Sequence, residues 1–313
     1  MSVLGQTEDN PIKIIQHKHL LDLPSASGID ILNDTIYVIG DDSPYLFQLD
    51  YDFSIIDKFL ITGNDSIVNG RVPYKIKSDF ESMDIFSDKG ELFAMILSSG
   101  SKKIKRDSLH IISLSKDELV LSKNVRSLFT EIGKQAGFKT DKEINIEALA
   151  LNDDKVFMLQ RGNNNDNIII SLDRTSFIKY LENNGRVPEL NIYEFSLPSM
   201  QNTVSGFSGV CLLPDNSGLL FTASLEATED SYNDGEILGS YIGIINFEDL
   251  EKGKTNTAII KYEGKVLKTK LEGISIKYFN NNKINAIAVS DNDNGTSWMF
   301  EFEIDIYGLI NKH

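Results

Sequence analysis

Five short apolar segments of this chain open with the same cadence, and that repetition constrains the fold more than any other feature. They are Ser27-Gly28-Ile29-Asp30-Ile31, Glu81-Ser82-Met83-Asp84-Ile85, Glu147-Ala148-Leu149-Ala150-Leu151, Ser208-Gly209-Val210-Cys211-Leu212 and Glu272-Gly273-Ile274-Ser275-Ile276. Each begins with Ser or Glu, places a small residue second, and then alternates apolar positions. The small residues stand at 28, 82, 148, 209 and 273, at steps of 54, 66, 61 and 64 residues, which marks a repeated supersecondary unit.

The rest of each unit repeats as well. A second apolar run follows at 35–39, 92–97, 156–159, 219–223 and 284–289, and a third at 45–49, 109–114, 168–172, 241–245 and 298–302. Between first and second runs lie Asn33-Asp34, Asp88-Lys89-Gly90, Asn152-Asp153-Asp154, Asp215-Asn216-Ser217-Gly218 and Asn280-Asn281-Asn282. Asn, Asp and Gly tolerate the positive φ of tight turns, so these are hairpin signals and each unit is an antiparallel meander. A fourth, outer strand is predicted at 54–61, 118–122, 191–196 and 257–262.

One four-stranded meander cannot bury both of its faces, whereas meanders stacked around an axis can. The expected fold is therefore all-β, a single β-propeller domain spanning residues 1–313. Its units run over about 22–61, 79–122, 145–196, 207–262 and 271–304, with 12–21 as the outer strand of the last blade. That closure leaves no sheet edge open. A sixth blade within 62–78 or 186–206 is the alternative. Helices are predicted at 125–137 and 174–183, each after a third strand and capping a blade from outside.

Charge narrows the partners. With 46 acidic against 31 basic residues the net charge is −15, which repels phosphate backbones and anionic bilayers. Neither nucleic acid nor a membrane is expected as a partner; a small anionic ligand and a monomer are. The one dense basic cluster, Lys102 to Arg106, reads as a solvated turn or as an anion contact beside Ser98-Ser99-Gly100-Ser101. The N-terminus lacks the pattern of a secretory signal and no apolar run is long enough to span a bilayer. A single cysteine, Cys211, fits a reducing compartment and reads as a small buried hydrophobe, so a cytoplasmic location is expected.

In a propeller the innermost strand lines the channel, so the residue opening it and the loop leaving the second strand meet at one mouth. That gathers Ser27, Glu81, Glu147, Ser208 and Glu272 with Asp41-Asp42, Ser98-Ser99, Arg161, Glu226 and Asp291-Asn292-Asp293. Carboxylates so crowded raise one another's pKa unless a cation or Arg161 compensates. Oxygen ligands suit Ca²⁺ or Mg²⁺ rather than zinc. The metal set read from these positions is Glu81, Glu147, Glu272 and Asp291; Glu147 and Arg161 are the candidate catalytic pair, and Arg161, Asp41, Glu226 and Arg106 the candidate ligand contacts. The loop 226–236, with Tyr232, is the longest polar insertion and overhangs the same mouth.

Other templates fail. Asp291 to Gly295 does not have the glycine and glutamate positions of an EF-hand, and Gly206-Phe207-Ser208-Gly209-Val210 is not a nucleophile elbow. His17 and His19 fall on the outer strand, His110 on a third strand and His313 at the end, so a Ser-His-Asp mechanism is not expected. No phosphate-binding glycine loop follows any strand.

The set Ser25-Ala26-Ser27-Gly28, Asp79-Phe80-Glu81-Ser82, Asn145-Ile146-Glu147-Ala148, Gln160-Arg161-Gly162-Asn163, Asp234 to Ser240 and Leu271-Glu272-Gly273-Ile274 resembles an uncharacterised family of bacterial β-propeller proteins. That family is distantly similar to the phytase-like esterase and regucalcin/gluconolactonase propellers. The resemblance implies a divalent metal, often calcium, at the channel mouth and hydrolysis of phosphoesters or lactones. The repeated glutamates and the sparse basic set depart from those distant families. Two readings stand: a divalent-metal-dependent hydrolase of a small anionic ester or lactone, and a non-catalytic propeller that binds a protein or small ligand while its glutamates tie blade to blade.

Overall fold

The computed structural model describes residues 10–311 apart from 63–65, 69, 141–143, 163–166, 184, 228–234 and 293, and at 183 the backbone alone. Five four-stranded antiparallel sheets form the blades of a β-propeller. Blade I comprises Ala26–Leu32, Thr35–Gly40, Tyr45–Leu49 and Ile55–Leu60, and blade II Phe80–Asp88, Glu91–Ser98, Ser108–Ser113 and Glu118–Asn124. Blade III comprises Ile146–Leu151, Lys155–Gln160, Asn167–Asp173 and Asn191–Phe195, and blade IV Gly206–Leu212, Gly218–Ala227, Glu236–Asn246 and Asn256–Ile259. In blade V the strands Lys270–Asn280, Lys283–Asp291 and Ser297–Asp305 are completed on the outside by Ile12–Leu20, as the sequence predicts. The inner strands of successive blades touch in a closed ring that ends blade V against blade I.

The turn chemistry behaves as read from the sequence in four blades; in blade III, Asn152, Asp153 and Asp154 turn without positive φ, Asn152 Oδ1 accepting from Asp154 N and Lys155 N. Asn33, Asp34, Lys89, Gly90, Asn216, Asn281 and Asn282 all have positive φ at first-to-second-strand hairpins. Five hydrophobic clusters fill the five seams, one between each pair of adjacent blades. Phe221 and Phe207 pack in the III/IV seam, for example, and Phe302 with Ile274 in the IV/V seam. This is how a chain of two-faced sheets buries both faces of every blade.

The alternative sixth blade is not present. Among the described residues, 62–78 holds only an isolated bridge between Val68 and Arg71, and 186–206 holds the outer strand of blade III, Asn191–Phe195, and a short hairpin of Ser199–Met200 with Thr203–Val204. The helices form at Arg126–Gln135 and Arg174–Asn183. The first follows a fourth strand rather than a third. It buries Leu128, Phe129 and Ile132 in the II/III seam, where it adds to the core as well as capping it. No helix among the described residues is long and apolar enough to cross a membrane.

The cadence has a structural cause that the sequence did not reveal. In every blade the pairing of first and second strands slips at the same place: between Ala26 and Gly28, Phe80 and Ser82, Ile146 and Ala148, Phe207 and Gly209, and Leu271 and Gly273. The skipped residues are Ser27, Glu81, Glu147, Ser208 and Glu272. A β-bulge leaves one residue unpaired and re-aims its side chain. The small residue that follows is required by close approach of the next blade. A Cβ on Gly209 would lie 2.8 Å from Gly273 Cα, and one on Gly273 would lie 3.2 Å from Ile29 N and Ser27 O.

Candidate functional site at the channel mouth

The five bulges deliver their side chains to one end of the channel, where they divide by chemistry. The two serines enter hydrogen bonds: Ser27 Oγ donates to Phe80 O of the next blade, and Ser208 shares protons with Thr222 and Ser224. The three glutamates enter charged clusters.

The first cluster joins blades III, IV and V. Arg161 leaves the second strand of blade III with its stem against Gly206, where a Cβ would stand 2.5 Å from Arg161 Cγ. Its Nη2 lies 2.9 Å from Glu226 Oε2, and its Nη1 is 4.0 Å from both Glu147 Oε2 and Glu272 Oε2. Lys270 Nζ sits 2.9 Å from Glu272 Oε1 and 3.7 Å from Glu226 Oε2. Asn145 Nδ2 donates to Glu147 Oε1, and Gly235 N donates to Glu226 Oε1 at 3.1 Å. Glu147, Arg161 and Glu272 are all buried. Burial pushes the Glu147 carboxyl up to about 7, with Arg161 opposing and Glu272 adding to the rise. Burial also raises Glu272, against the pull of Lys270 and Arg161. Glu226 falls below the usual range, because Lys270 and Arg161 outweigh its desolvation.

The second cluster lies between blades I and II. Lys77 Nζ bonds Asp41 Oδ2 and lies 2.9 Å from Asp79 Oδ1, while Arg106 Nη1 is 2.8 Å from Asp79 Oδ2. Carboxylate oxygens of Asp41, Asp79 and Glu81 come within 4.8 Å of one another, the arrangement a metal ion would need. Burial lifts Asp41 to about 6, against Lys77, and lifts Glu81 well above the usual range, with Asp79, Glu147 and Asp41 adding repulsion. Asp79 moves the other way, since Lys77 and Arg106 overcome its burial. Asp41 Oδ1 and Arg106 Nη2 are buried with no hydrogen-bond partner among the described residues. Beside this cluster Asp42 pairs with Arg71. Because Glu81 feels Glu147, and Arg161 feels Glu81, the two clusters form one electrostatic unit.

The sequence-predicted residues are therefore largely brought together, with a different division of labour. Glu81 stands with Asp41 and Asp79, while Glu147 and Glu272 face Arg161, and Glu272 also holds Lys270. Asp291 ends the second strand of blade V opposite Lys270 and Ser297, and among the described residues it is in no group of three metal-ligating side chains. Arg106 is the one member of the basic cluster that turns inward; Ile104, two residues before it, is 84% exposed. Asp293 and residues 228–234, including Tyr232, lie outside the described residues.

Sequence reasoning missed Lys77, Asp79 and Lys270, and so overstated the excess of acid at the mouth. A signal for two of them exists. In Asp79-Phe80-Glu81, Asn145-Ile146-Glu147 and Lys270-Leu271-Glu272 a polar residue stands two places before the bulged glutamate, and each of these residues belongs to its glutamate's cluster. Lys77 comes from the connection before blade II and has no such repeat.

No curated protein matches this chain. Solved structures similar to it include a glutaminyl cyclase from Myxococcus xanthus, at 11% identity and TM-score 0.48 over 94% of this chain and 96% of the other. A streptogramin B lyase aligns at 13% identity and TM-score 0.38 over 90% and 86%. The tail fibre of Staphylococcus aureus phage P68 aligns at 12% identity and TM-score 0.44 over 96% of this chain and 54% of the fibre. A family model matches residues 22–304, nearly the whole propeller, and the chain accordingly belongs to the family of unknown function DUF6929.

Proposed function

We propose that the channel mouth holds a hard divalent cation, Ca²⁺ or Mg²⁺, on Asp41, Asp79 and Glu81, and that the protein hydrolyses a small anionic ester or lactone there. The observation that carries this reading is a charge deficit. Among the described residues, Asp41, Asp79, Glu81, Glu147, Glu226 and Glu272 face Lys77, Arg106, Arg161 and Lys270, six carboxyls against four cations, so two negative charges are unmatched within this set. Two protons or one divalent cation would neutralise it, and an all-oxygen donor set suits a hard cation. The unpartnered Asp41 Oδ1 gives the ion a first ligand with no contact to break.

A bound cation would polarise the scissile group and acidify water. Glu147, with its carboxyl at about 7, suits a general base working near neutrality. Arg161 keeps Glu147 oriented across the three-blade ion network. Arg106, through its unpartnered Nη2, is placed to donate to an anionic group of the substrate.

One observation favours the second reading, a binding propeller without catalysis. Glu226 and Glu272 already meet Arg161 across blades, and Glu226 meets Lys270, as interblade ties would. Thermal unfolding with EDTA, and with added Ca²⁺ or Mg²⁺, separates the two when combined with hydrolysis assays on p-nitrophenyl phosphate and aliphatic lactones. The hydrolase reading expects a divalent ion to raise the melting temperature, Asp41→Asn and Glu81→Gln to erase that rise, and turnover to need the ion. Melting curves indifferent to both chelator and ions would end the cation assignment.

A further inference from the structure

A cavity of about 350 Å³ lies in the seam between blades IV and V and touches the ion network just described through Lys270. Four of its twelve lining residues carry rings, three are aliphatic, and five, among them Lys268, Lys270 and Asp291, are polar or charged. Trp298 and Phe300 stand two apart on the third strand of blade V, opposite His19 and His17 of the outer strand, so all four project from one face. Tyr262 reaches in from the short hairpin Lys261–Tyr262 with Lys265–Val266, and Ile237 and Leu267 complete the apolar lining. The His17 ring is the centre of the group: 6.0 Å from Phe300 and stacked, 5.5 Å from Trp298 and tilted, 5.6 Å from Tyr262 and edge-on.

Volume and chemistry together select an occupant. The cavity is of the size that takes small molecules, and too small and concave for a protein surface. Flat faces and ring edges favour another aromatic ring, through offset or edge-to-face contact. The lysines that line it carry no unspent charge: Lys268 is 2.6 Å from Glu236, and Lys270 is 2.9 Å from Glu272. An anionic ligand would therefore gain little there. Tyr262 is 44% exposed and His17 is exposed, so the rings are open to solvent on the side from which a ligand would enter.

We propose that this seam cavity binds an uncharged aromatic or heteroaromatic molecule of one or two rings. The site stands apart from the cation proposed on Asp41, Asp79 and Glu81, although Lys270, which pairs with Glu272 in the neighbouring cluster, would lie beside the occupant.

Isothermal titration calorimetry with 2-naphthol as the probe tests it, with cyclohexanol as an apolar ring that lacks a π face. Saturable binding of one 2-naphthol is expected, at least tenfold tighter than cyclohexanol and the same in EDTA or excess Ca²⁺. Tyr262→Ala and His17→Ala should each weaken it at least tenfold while melting as the parent does. Trp298 is the sole tryptophan of the chain, and its emission should change with the same midpoint. Absence of saturable heat, equal binding of cyclohexanol, or unaltered affinity in Tyr262→Ala would overturn the proposal. Loss of Ca²⁺ stabilisation with 2-naphthol binding intact would instead count against the cation alone.

Discussion

Arg161 Nη2 of blade III lies 2.9 Å from Glu226 Oε2 of blade IV, so one buried guanidinium fixes the approach of two blades. Its Nη1 faces Glu147 of its own blade and Glu272 of blade V at 4.0 Å. Removing one partner of a buried ion network strands the other charges. Arg161→Met is expected to cost about 3–5 kcal/mol in chemical denaturation. Arg161→Lys should cost less, since it keeps the charge and loses only the forked donor geometry. A double-mutant cycle with Glu226→Gln should return a coupling of about 1–3 kcal/mol, and strict additivity would refute the tie.

The bulge glycines should tolerate no side chain. At Gly209 an added Cβ meets backbone on both nearest contacts in blade V, 2.8 Å from Gly273 Cα and 3.1 Å from Glu272 O. Neither can swing away. Gly209→Ala is expected to destabilise by about 1–3 kcal/mol. Gly206→Ala meets a side-chain stem, Arg161 Cγ at 2.5 Å, and should act by displacing the arginine. Its loss should therefore shrink in an Arg161→Met background, which denaturation midpoints would read.

Stability should fall as pH rises through the acid range. Asp41 goes from 3.8 unfolded to about 6 folded, and Glu147 from 4.5 to about 7. A carboxyl raised on folding means that the native state binds more protons, so its contribution is complete below the unfolded value and lost by the folded one. The window runs from about pH 4 to about pH 7. Asp79 and Glu226, both lowered, have the opposite sign, but they gain their stability as pH rises towards the unfolded values of 3.8 and 4.5, at and below the bottom of that window. The clean comparison is Glu147→Gln, which should gain on the parent as pH climbs towards 8; melting curves at pH 5 and pH 8 that shift in parallel would contradict this.

Ion binding should show the opposite slope. A cation on Asp41 and Glu81 displaces protons, so Ca²⁺ or Mg²⁺ should stabilise the protein more at pH 8 than at pH 5. At one hundred times the dissociation constant the gain is about 2.7 kcal/mol. Thermal shifts at matched ionic strength measure it, and an ion effect independent of pH would place the ion elsewhere.

Cys211 should be chemically quiet. Burial pushes its thiol well up, and the charges of Asp30 and Asp84 push in the same direction, so thiolate is scarce at neutral pH. Alkylation by iodoacetamide at pH 8 is expected to be slow in the native protein and fast in denaturant. Similar rates in the two states would mean the inner strand of blade IV opens readily.

The sequence by itself determined the architecture. A period of 54 to 66 residues, Asn/Asp/Gly turns and alternating apolar positions sufficed to count five blades, to assign the N-terminal strand to the last one and to locate helices near 125–137 and 174–183, because strands, hairpins and seams are local consequences of residue pattern. It did not reveal that the first helix follows a fourth strand. It also identified Glu81, Glu147, Glu272, Arg161, Glu226 and Asp41 as neighbours, since closing a repeat brings equivalent positions to one axis. Only the tertiary structure decided how their charges are shared. Lys77 comes from a connection whose path no periodicity fixes, Lys270 opens an inner strand but its partners Glu272 and Glu226 are set by closure of the ring, and the bulge that turns each Ser or Glu towards the mouth arises where inner strands crowd against the next blade. Charge balance at an axis depends on distances among residues far apart in sequence, and those exist only once the ring has closed.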